Sequence, residues 1–87
     1  MEEKIFVLIK EEFCDGFNSI NIYLYKDIEQ AQKHLQMFKD NFKTANDLSK
    51  YIIDADNDNE FYAYLNGRYK DDHINIWIEE KEINWRR

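Results

Sequence analysis

The pattern of apolar and polar residues predicts two strands in each half of the chain. Residues 4–10 are apolar on both faces, which is typical of a central strand. Residues 20–26 alternate isoleucine or leucine with asparagine or tyrosine, and this strand is most simply antiparallel to the first. Residues 61–65 and 74–78 alternate in the same way. The pattern therefore predicts four strands.

Two turns and one acidic loop are predicted between the regular elements. Residues 11–19 are expected to form a loop that turns at Gly16, because an Asp-Gly pair is typical of tight turns. Residues 54–60 are polar and acidic throughout except for one alanine, and they are expected to form an exposed loop. Asn66 and Gly67 provide a hairpin turn signal.

The segment between the strand pairs predicts an amphipathic helix over about residues 28–43. Its apolar residues recur at spacings of three and four and so share one stripe: Ile28, Ala31, Leu35, Phe38 and Phe42. Asp27 suits the N-cap position, with Gln30 as its capping-box partner. Residues 45–53 are either a short second helix or, from Tyr51 onward, a strand.

These elements predict one α+β domain over residues 1–87. Its order is ββα(α)ββ, an antiparallel sheet of about four strands with one main amphipathic helix packed on one face. A chain of 87 residues is long enough for one hydrophobic core and too short for two.

Aromatic residues form the candidate binding surface. The aliphatic side of each strand is expected to face the helix, including Ile5, Val7, Ile9, Ile20, Ile22 and Leu24. The opposite side would then collect Phe6, Leu8, Tyr23, Tyr25, Tyr62, Tyr64 and Trp77. A contiguous aromatic face usually marks an interface, and tyrosine and tryptophan are typical anchors there. The alternatives are that the chain's own tail covers this face or that the face is only half exposed.

The net charge of −6 argues against nucleic acid as a partner, because a binder of phosphate backbones normally carries a basic face. A basic protein surface would instead be attracted. The carboxylates expected to steer such a partner are Asp54, Asp56, Asp58 and Glu60. The alternative is that the charge simply keeps a small protein in solution.

Cysteine use and hydropathy indicate the cytoplasm. The one cysteine, Cys14, cannot form an internal disulfide, which favours a reducing compartment. No apolar run approaches the roughly 18 residues that a membrane helix needs, and residues 4–10 are too short for a signal-peptide core. We therefore expect neither a membrane nor a secretory destination.

The acidic segment fails as a calcium loop. Asp54, Asp56 and Asp58 match the first, third and fifth ligand positions of an EF-hand. The sixth position should be glycine and is Asn59, and the twelfth should be glutamate and is Leu65. Only weak, adventitious calcium binding remains as an alternative.

Other chemical motifs fail in the same way. Cys14 with His73 could form a nucleophile and base, but no third orienting group is indicated. One cysteine and two histidines are too few for a structural zinc site. We therefore predict no catalytic residue, no metal and no cofactor.

Three segments carry a resemblance to a known group of proteins: residues 4–10 (KIFVLIK), 26–31 (KDIEQA) and 77–83 (WIEEKEI). With their richness in isoleucine, asparagine and lysine, they resemble small acidic proteins encoded by bacteriophages and prophages of low-GC bacteria. That resemblance implies an inhibitor of a host enzyme or of a bacterial defence system, acting in the host cytoplasm.

The leading hypothesis is thus a non-enzymatic protein-binding module, of the phage-type inhibitor kind, that acts by steric occlusion. Its anchors would be Tyr23, Tyr25, Tyr62, Tyr64 and Trp77. The alternative is a self-associating, homodimeric structural domain. A third hypothesis is a small-ligand binder or enzyme around Cys14.

Overall fold

The computed structural model describes residues 2–14, 16–65 and 72–84. The elements are β1 (Glu2–Cys14), β2 (Phe17–Tyr25), α1 (Ile28–Ala45), a 3₁₀ turn (Leu48–Lys50), β3 (Tyr51–Asp56), β4 (Glu60–Leu65) and β5 (Asp72–Asn84). The hairpin turn predicted at Asn66 and Gly67 lies outside the described residues.

All strands join one antiparallel sheet in the order β2-β1-β5-β4-β3. This confirms the predicted α+β class. The sheet has five strands rather than about four, because Tyr51 onward forms β3 and pairs with β4. In residues 45–53, Ala45 ends α1 and Leu48–Lys50 form a single 3₁₀ turn rather than a second helix. Asp47 caps this turn by accepting a hydrogen bond from the backbone N–H of Ser49 at 3.1 Å.

The first two strands are longer than the alternation predicts. Cys14 already pairs with Phe17, so the connection between β1 and β2 is two residues and not the nine of the predicted loop. Gly16 has a φ of +90°, in the left-handed region that glycine adopts without strain. The loop prediction failed because it relied on apolar alternation, whereas backbone pairing continues through polar residues such as Glu11 and Glu12.

The helix begins at Ile28, as predicted, and runs two residues further, to Ala45. Asp27 occupies the N-cap position with extended backbone, but its side chain makes no capping hydrogen bond, so the predicted capping box with Gln30 is wrong. The backbone carbonyl of Asp27 accepts from Ala31 N at 3.3 Å. Packing of the apolar stripe, rather than a side-chain cap, therefore holds this helix in place.

The core lies between α1 and the middle strands of the sheet. Its buried residues are Leu8, Leu35, Phe61, Ala63, Ile74 and Ile76, and the half-buried residues packed around them are Tyr23, Tyr25, Phe38, Phe42 and Ile78. Four of the strands, β1, β2, β4 and β5, contribute side chains to this core. The helix α1 therefore packs on most of the sheet.

The two N-terminal strands turn the opposite faces toward α1 from those expected. Leu8 lies opposite Tyr23 on one side and Ile78 on the other, and all three belong to the core. Alternation then places the aliphatic set on the face away from α1: Ile5, Val7, Ile9, Ile20, Ile22 and Leu24. The expectation was wrong because β1 is apolar on both faces over residues 4–10 and β2 carries tyrosines on its second face, so pairing with β5 decides which face packs on α1.

A buried lysine ties α1 to the connection between β3 and β4. Lys39 is only 4% exposed, and its Nζ donates to Asp56 Oδ1 at 2.9 Å and to the carbonyl oxygen of Asn57 at 2.7 Å. The other carboxylate oxygen of Asp56 accepts from Lys43 at 2.9 Å. The hydrogen bonds from Lys39 and then Lys43 lower the pKa of Asp56. The carboxylate of Asp56 thus neutralises the buried positive charge of Lys39.

Replacing Asp56 with asparagine should destabilise the domain by about 2 kcal/mol, because it leaves the buried ammonium of Lys39 without an opposite charge. Urea unfolding measures this loss. Lys43→Ala is the matched control, since it removes the more exposed partner of the same carboxylate and should cost less than about 1 kcal/mol. Equal losses in both variants would contradict a special role for Lys39.

Candidate functional site

The face of the sheet opposite α1, called here the open face, brings apolar side chains from three strands into one row. Ile22 of β2 lies opposite Ile9 of β1, and Ile9 lies opposite Trp77 of β5. In the next row Leu24 lies opposite Val7. Side chains opposite each other on neighbouring strands are about 5 Å apart and in contact, so these rows form one continuous surface.

Much of this surface remains in contact with solvent. Ile20, Ile22 and Leu24 are 56%, 61% and 65% exposed, respectively. Val7, Ile9 and Trp77 are half-buried against them. We call these side chains together the apolar patch: Val7, Ile9, Ile20, Ile22, Leu24 and Trp77. Residues of this kind normally lie inside a domain, so their grouping on one face is the most informative feature of the molecule.

An aromatic cluster borders the apolar patch on the side of β4. Its members are Phe13, Tyr62, Tyr64 and His73, all half-buried. The rings of Phe13 and His73 stack at 5.8 Å between centroids, and those of Tyr62 and His73 lie 6.0 Å apart, edge to face. Tyr62 and Tyr64 are separated by 5.8 Å. These ring contacts hold the cluster in a fixed arrangement.

Carboxylates lie among the aromatic residues of the open face. The indole Nε1 of Trp77 donates to Glu79 Oε2 at 2.8 Å, and Lys81 reaches the same carboxyl group at 3.1 Å. The hydrogen bond from Trp77, followed by that from Lys81, lowers the pKa of Glu79. Glu11 lies 3.7 Å from Nε2 of His73. Glu11, on β1, lies between the apolar patch and the aromatic cluster, and Glu79 follows Trp77 along β5, so the apolar surface of the open face is interrupted by carboxylates.

Three of the five predicted aromatic anchors lie on the open face, namely Tyr62, Tyr64 and Trp77. Tyr23 and Tyr25 do not, because they pack beneath α1. The predicted single surface with all five aromatics is therefore wrong, although the role of the remaining three in binding stays a prediction.

Tyr23 and Tyr25 form an aromatic seal with His34 and Phe38 at one side of the helix. The ring of Tyr23 lies 4.7 Å from that of His34, and His34 stacks on Phe38 at 4.3 Å. The hydroxyl of Tyr25 and Nδ1 of His34 share a hydrogen bond. Burial lowers the pKa of His34, with Lys10 adding to the shift, and burial raises the pKa of Tyr25. Both shifts favour the neutral forms that this hydrogen bond needs.

The predicted steering carboxylates do not act as one exposed group. Asp56 points toward α1 and is bound by its lysines. Asp54 lies at the irregular step in the β3–β4 register and is exposed, as is Asp58 in the connection that follows. Glu60 opens β4 opposite Trp77 and is half-buried. Only Asp54 and Asp58 are thus free to act as exposed charge at this edge of the sheet.

The strand register does not place Cys14 and His73 side by side as a nucleophile and its base. Cys14 lies opposite Asp72 and His73 lies opposite Phe13, so alternation directs the two side chains to opposite faces of the sheet. Both residues border a cavity of about 130 Å³, with Tyr51 and Asp72 in its lining. Burial raises the pKa of Tyr51, and the nearby Cys14 and Asp72 add to this shift.

Sequence reasoning missed the aliphatic half of the candidate site. Val7, Ile9, Ile22 and Leu24 were assigned to the core, since isoleucine and leucine are usually buried. The signal that could have found them is the excess of apolar positions: both faces of residues 4–10 are apolar, and one helix cannot cover both.

Comparison with known proteins gives no match: no family model, no curated protein and no solved structure is significantly similar to this chain. Within the described ranges, no group of three histidine, cysteine, aspartate or glutamate residues is placed to hold a metal ion. No helix in that part of the chain is both long and apolar enough to cross a bilayer. The open face is therefore interpreted from its own geometry.

The two faces of β2 should respond differently to truncation. Tyr23→Ala should destabilise the domain by about 2 kcal/mol, because it removes a ring packed between α1 and the sheet. Leu24→Ala, the adjacent and 65% exposed residue, should change the free energy of unfolding by less than about 0.5 kcal/mol. Urea unfolding of both variants tests the face assignment. A larger loss for Leu24→Ala than for Tyr23→Ala would show that Leu24, and not Tyr23, faces α1.

Lowering the pH from about 7 to 5 should weaken the fold through His34. Its pKa is depressed below 6.5 in the folded state, so its contribution is complete above pH 6.5 and is lost as the pH falls through the folded-state pKa. Chemical unfolding at a series of pH values measures this slope. His34→Phe keeps the ring and removes the titration, so it should flatten the slope in this window. If the stability of His34→Phe fell with pH as steeply as that of the wild type, His34 would not be the group responsible.

Proposed function

We propose that this chain is a non-enzymatic protein-binding module that binds its partner with the open face of the sheet. One observation carries the proposal: Ile20, Ile22 and Leu24 are more than half exposed on the same face as Trp77. Leaving such side chains in water forgoes a large part of the burial free energy that a small domain depends on.

The composition of the open face supports a protein partner rather than a small ligand. A small molecule is normally held in a concave pocket, whereas this surface is the flat side of a sheet. Its aromatic cluster supplies the residue types that dominate binding energy in protein interfaces, and their mutual contacts reduce the entropy lost on binding. The carboxylates within this face, Glu11 and Glu79, favour a partner that presents basic side chains next to apolar ones.

Steric occlusion is the mode of action that suits this geometry. A rigid sheet face that covers an apolar surface would block every other contact made there, without any chemistry of its own. The resemblance to small acidic phage-encoded proteins supports the same mode, with a host or anti-phage defence protein as the target. The cytoplasm of the host cell is where such a target would be met.

Loss of Trp77 and Tyr62 should abolish partner binding. The experiment uses the tagged chain as bait in a lysate of the source or host cells, identifies the bound protein by mass spectrometry, and then measures its dissociation constant by calorimetry with the purified partner. The Tyr62→Ala/Trp77→Ala variant should bind at least about 100-fold more weakly, since truncated anchors of this kind cost about 2 kcal/mol or more.

The matched control removes apolar area from the helix side of the molecule. Ile28 and Met37 are 36% and 52% exposed on α1, and their double alanine variant should bind like the wild type. Far-UV circular dichroism confirms that both variants are folded. Wild-type affinity in the Tyr62/Trp77 variant, or loss of binding in the helix variant, would contradict the proposal. Unfolding of the Tyr62/Trp77 variant would show that these residues belong to the core.

A further inference from the structure

The two edges of the sheet are built differently. At one edge β3 has six residues, its register with β4 is interrupted between Ile53 and Ala55, and it carries Asp54 and Asp56. Bulges and charges of this kind protect an edge against another strand. At the other edge β2 has nine residues, FNSINIYLY, with neither proline nor any charged side chain. Its register with β1 is continuous from Phe17 to Tyr25.

An edge strand of this kind presents a row of backbone N–H and C=O groups to solvent. In β2 these groups accompany three exposed aliphatic side chains at alternate positions, Ile20, Ile22 and Leu24. The strand thus offers main-chain hydrogen bonds and a side-chain ladder in one straight segment, which are the two requirements for strand addition.

We propose that β2 pairs antiparallel with β2 of a second copy of this chain, so that two sheets join into one. Centred on Ile22, the pairing places Ile22 of the two copies opposite each other and Ile20 opposite Leu24 of the second copy. The same register sets the polar Asn21 opposite Tyr23 of the second copy. The strand is therefore complementary to itself on both faces, as a two-fold interface requires.

The register follows from the positions of the apolar residues. Face alternation allows only shifts of two residues, because a shift of one would turn every side chain over. A shift in one direction pairs Leu24 with Asn18 of the second copy, and a shift in the other pairs Ile20 with Lys26. Each shift loses one apolar pair, so the register centred on Ile22 buries the most apolar surface.

The distribution of charge favours a second copy despite the net charge of −6. The acidic residues of β3 and of its connection to β4 lie at the far edge, four strand spacings or about 19 Å from β2. The carboxylates of the neighbouring strand, Glu11 and Glu12, lie on β1, which would be three spacings or about 14 Å from β1 of the second copy. Asp27, which follows β2, would lie opposite the uncharged Phe17 of the second copy. Both distances exceed the Debye length of about 8 Å at physiological salt. The copies can therefore join without placing like charges in contact.

Pairing of this kind extends the open face. The local two-fold axis of an antiparallel strand pair is perpendicular to the sheet, so the open faces of both copies lie on the same side. The two Trp77 side chains would be five strand spacings apart, about 24 Å. This inference goes beyond the proposed function, since it holds whether or not a foreign partner exists.

Sedimentation equilibrium of the wild-type chain should give twice the monomer mass of 10.7 kDa. Ile22→Lys and Ile22→Glu should each raise the dimer dissociation constant by about tenfold or more, because each places like charges directly opposite one another. An equimolar mixture of the two variants should restore the dimer. Since Ile22 is 61% exposed, both variants remain folded, and circular dichroism checks this.

Ile52→Lys is the matched control, since Ile52 is an exposed isoleucine on the opposite edge strand, β3, and this variant should remain dimeric. A monomeric wild type, a mixture that stays monomeric, or a dimer lost through Ile52→Lys would overturn the proposal.

Disulfide trapping tests the register itself. In a Cys14→Ser background, Ile22→Cys should cross-link to a second copy on oxidation, since opposed strand residues lie within disulfide reach. Leu24→Cys alone should not, because its two copies would be four residues apart along the strand, about 13 Å. A mixture of Ile20→Cys and Leu24→Cys should cross-link again. Trapping by Leu24→Cys alone, without trapping by Ile22→Cys, would overturn this register.

Discussion

The packing of a single helix on a five-stranded sheet is the constraint on which the rest of this structure depends. A helix with its side chains is about 10 Å wide, whereas the outer strands of five lie about 19 Å apart. The helix therefore covers the middle of one face, where Leu8, Phe61 and Ile76 are fully buried. The margins must be closed by other means: rings from Tyr23 and Tyr25 on one side, and the Lys39–Asp56 ion pair on the other.

The same constraint separates the apolar and the charged surfaces of the molecule. Asp56 pairs with Lys39 at the margin of the core near β3. The exposed carboxylates Asp54 and Asp58 lie at the same edge of the sheet. The apolar patch lies on β1, β2 and the middle strand β5, away from β3. A partner can thus bury the patch without removing Asp54 and Asp58 from water, whereas Glu11 and Glu79 lie beside the patch on the same face.

Local patterns predicted most of the secondary structure. The start of α1 at Ile28 and its apolar stripe followed from spacing alone, and the strand pairs followed from alternation. The strand β3 was ambiguous, because three successive residues, Tyr51 to Ile53, have no alternation that separates strand from helix. The side chain of Lys39 could not be assigned to the core, because its burial depends on Asp56, which arrives from a strand 17 positions later.

The amino-acid sequence by itself determined which side chains of each strand share a face, since alternation is a property of the extended backbone. It also determined that more apolar side chains exist than one helix can cover. Which set faces the helix was decided only by tertiary structure. A two-residue period is identical for both faces, so Tyr23 and Leu24 are equivalent candidates for the core until β1 pairs with β5 and brings Leu8 beneath the helix. That pairing left the isoleucines and Leu24 in solvent, and so created the candidate site.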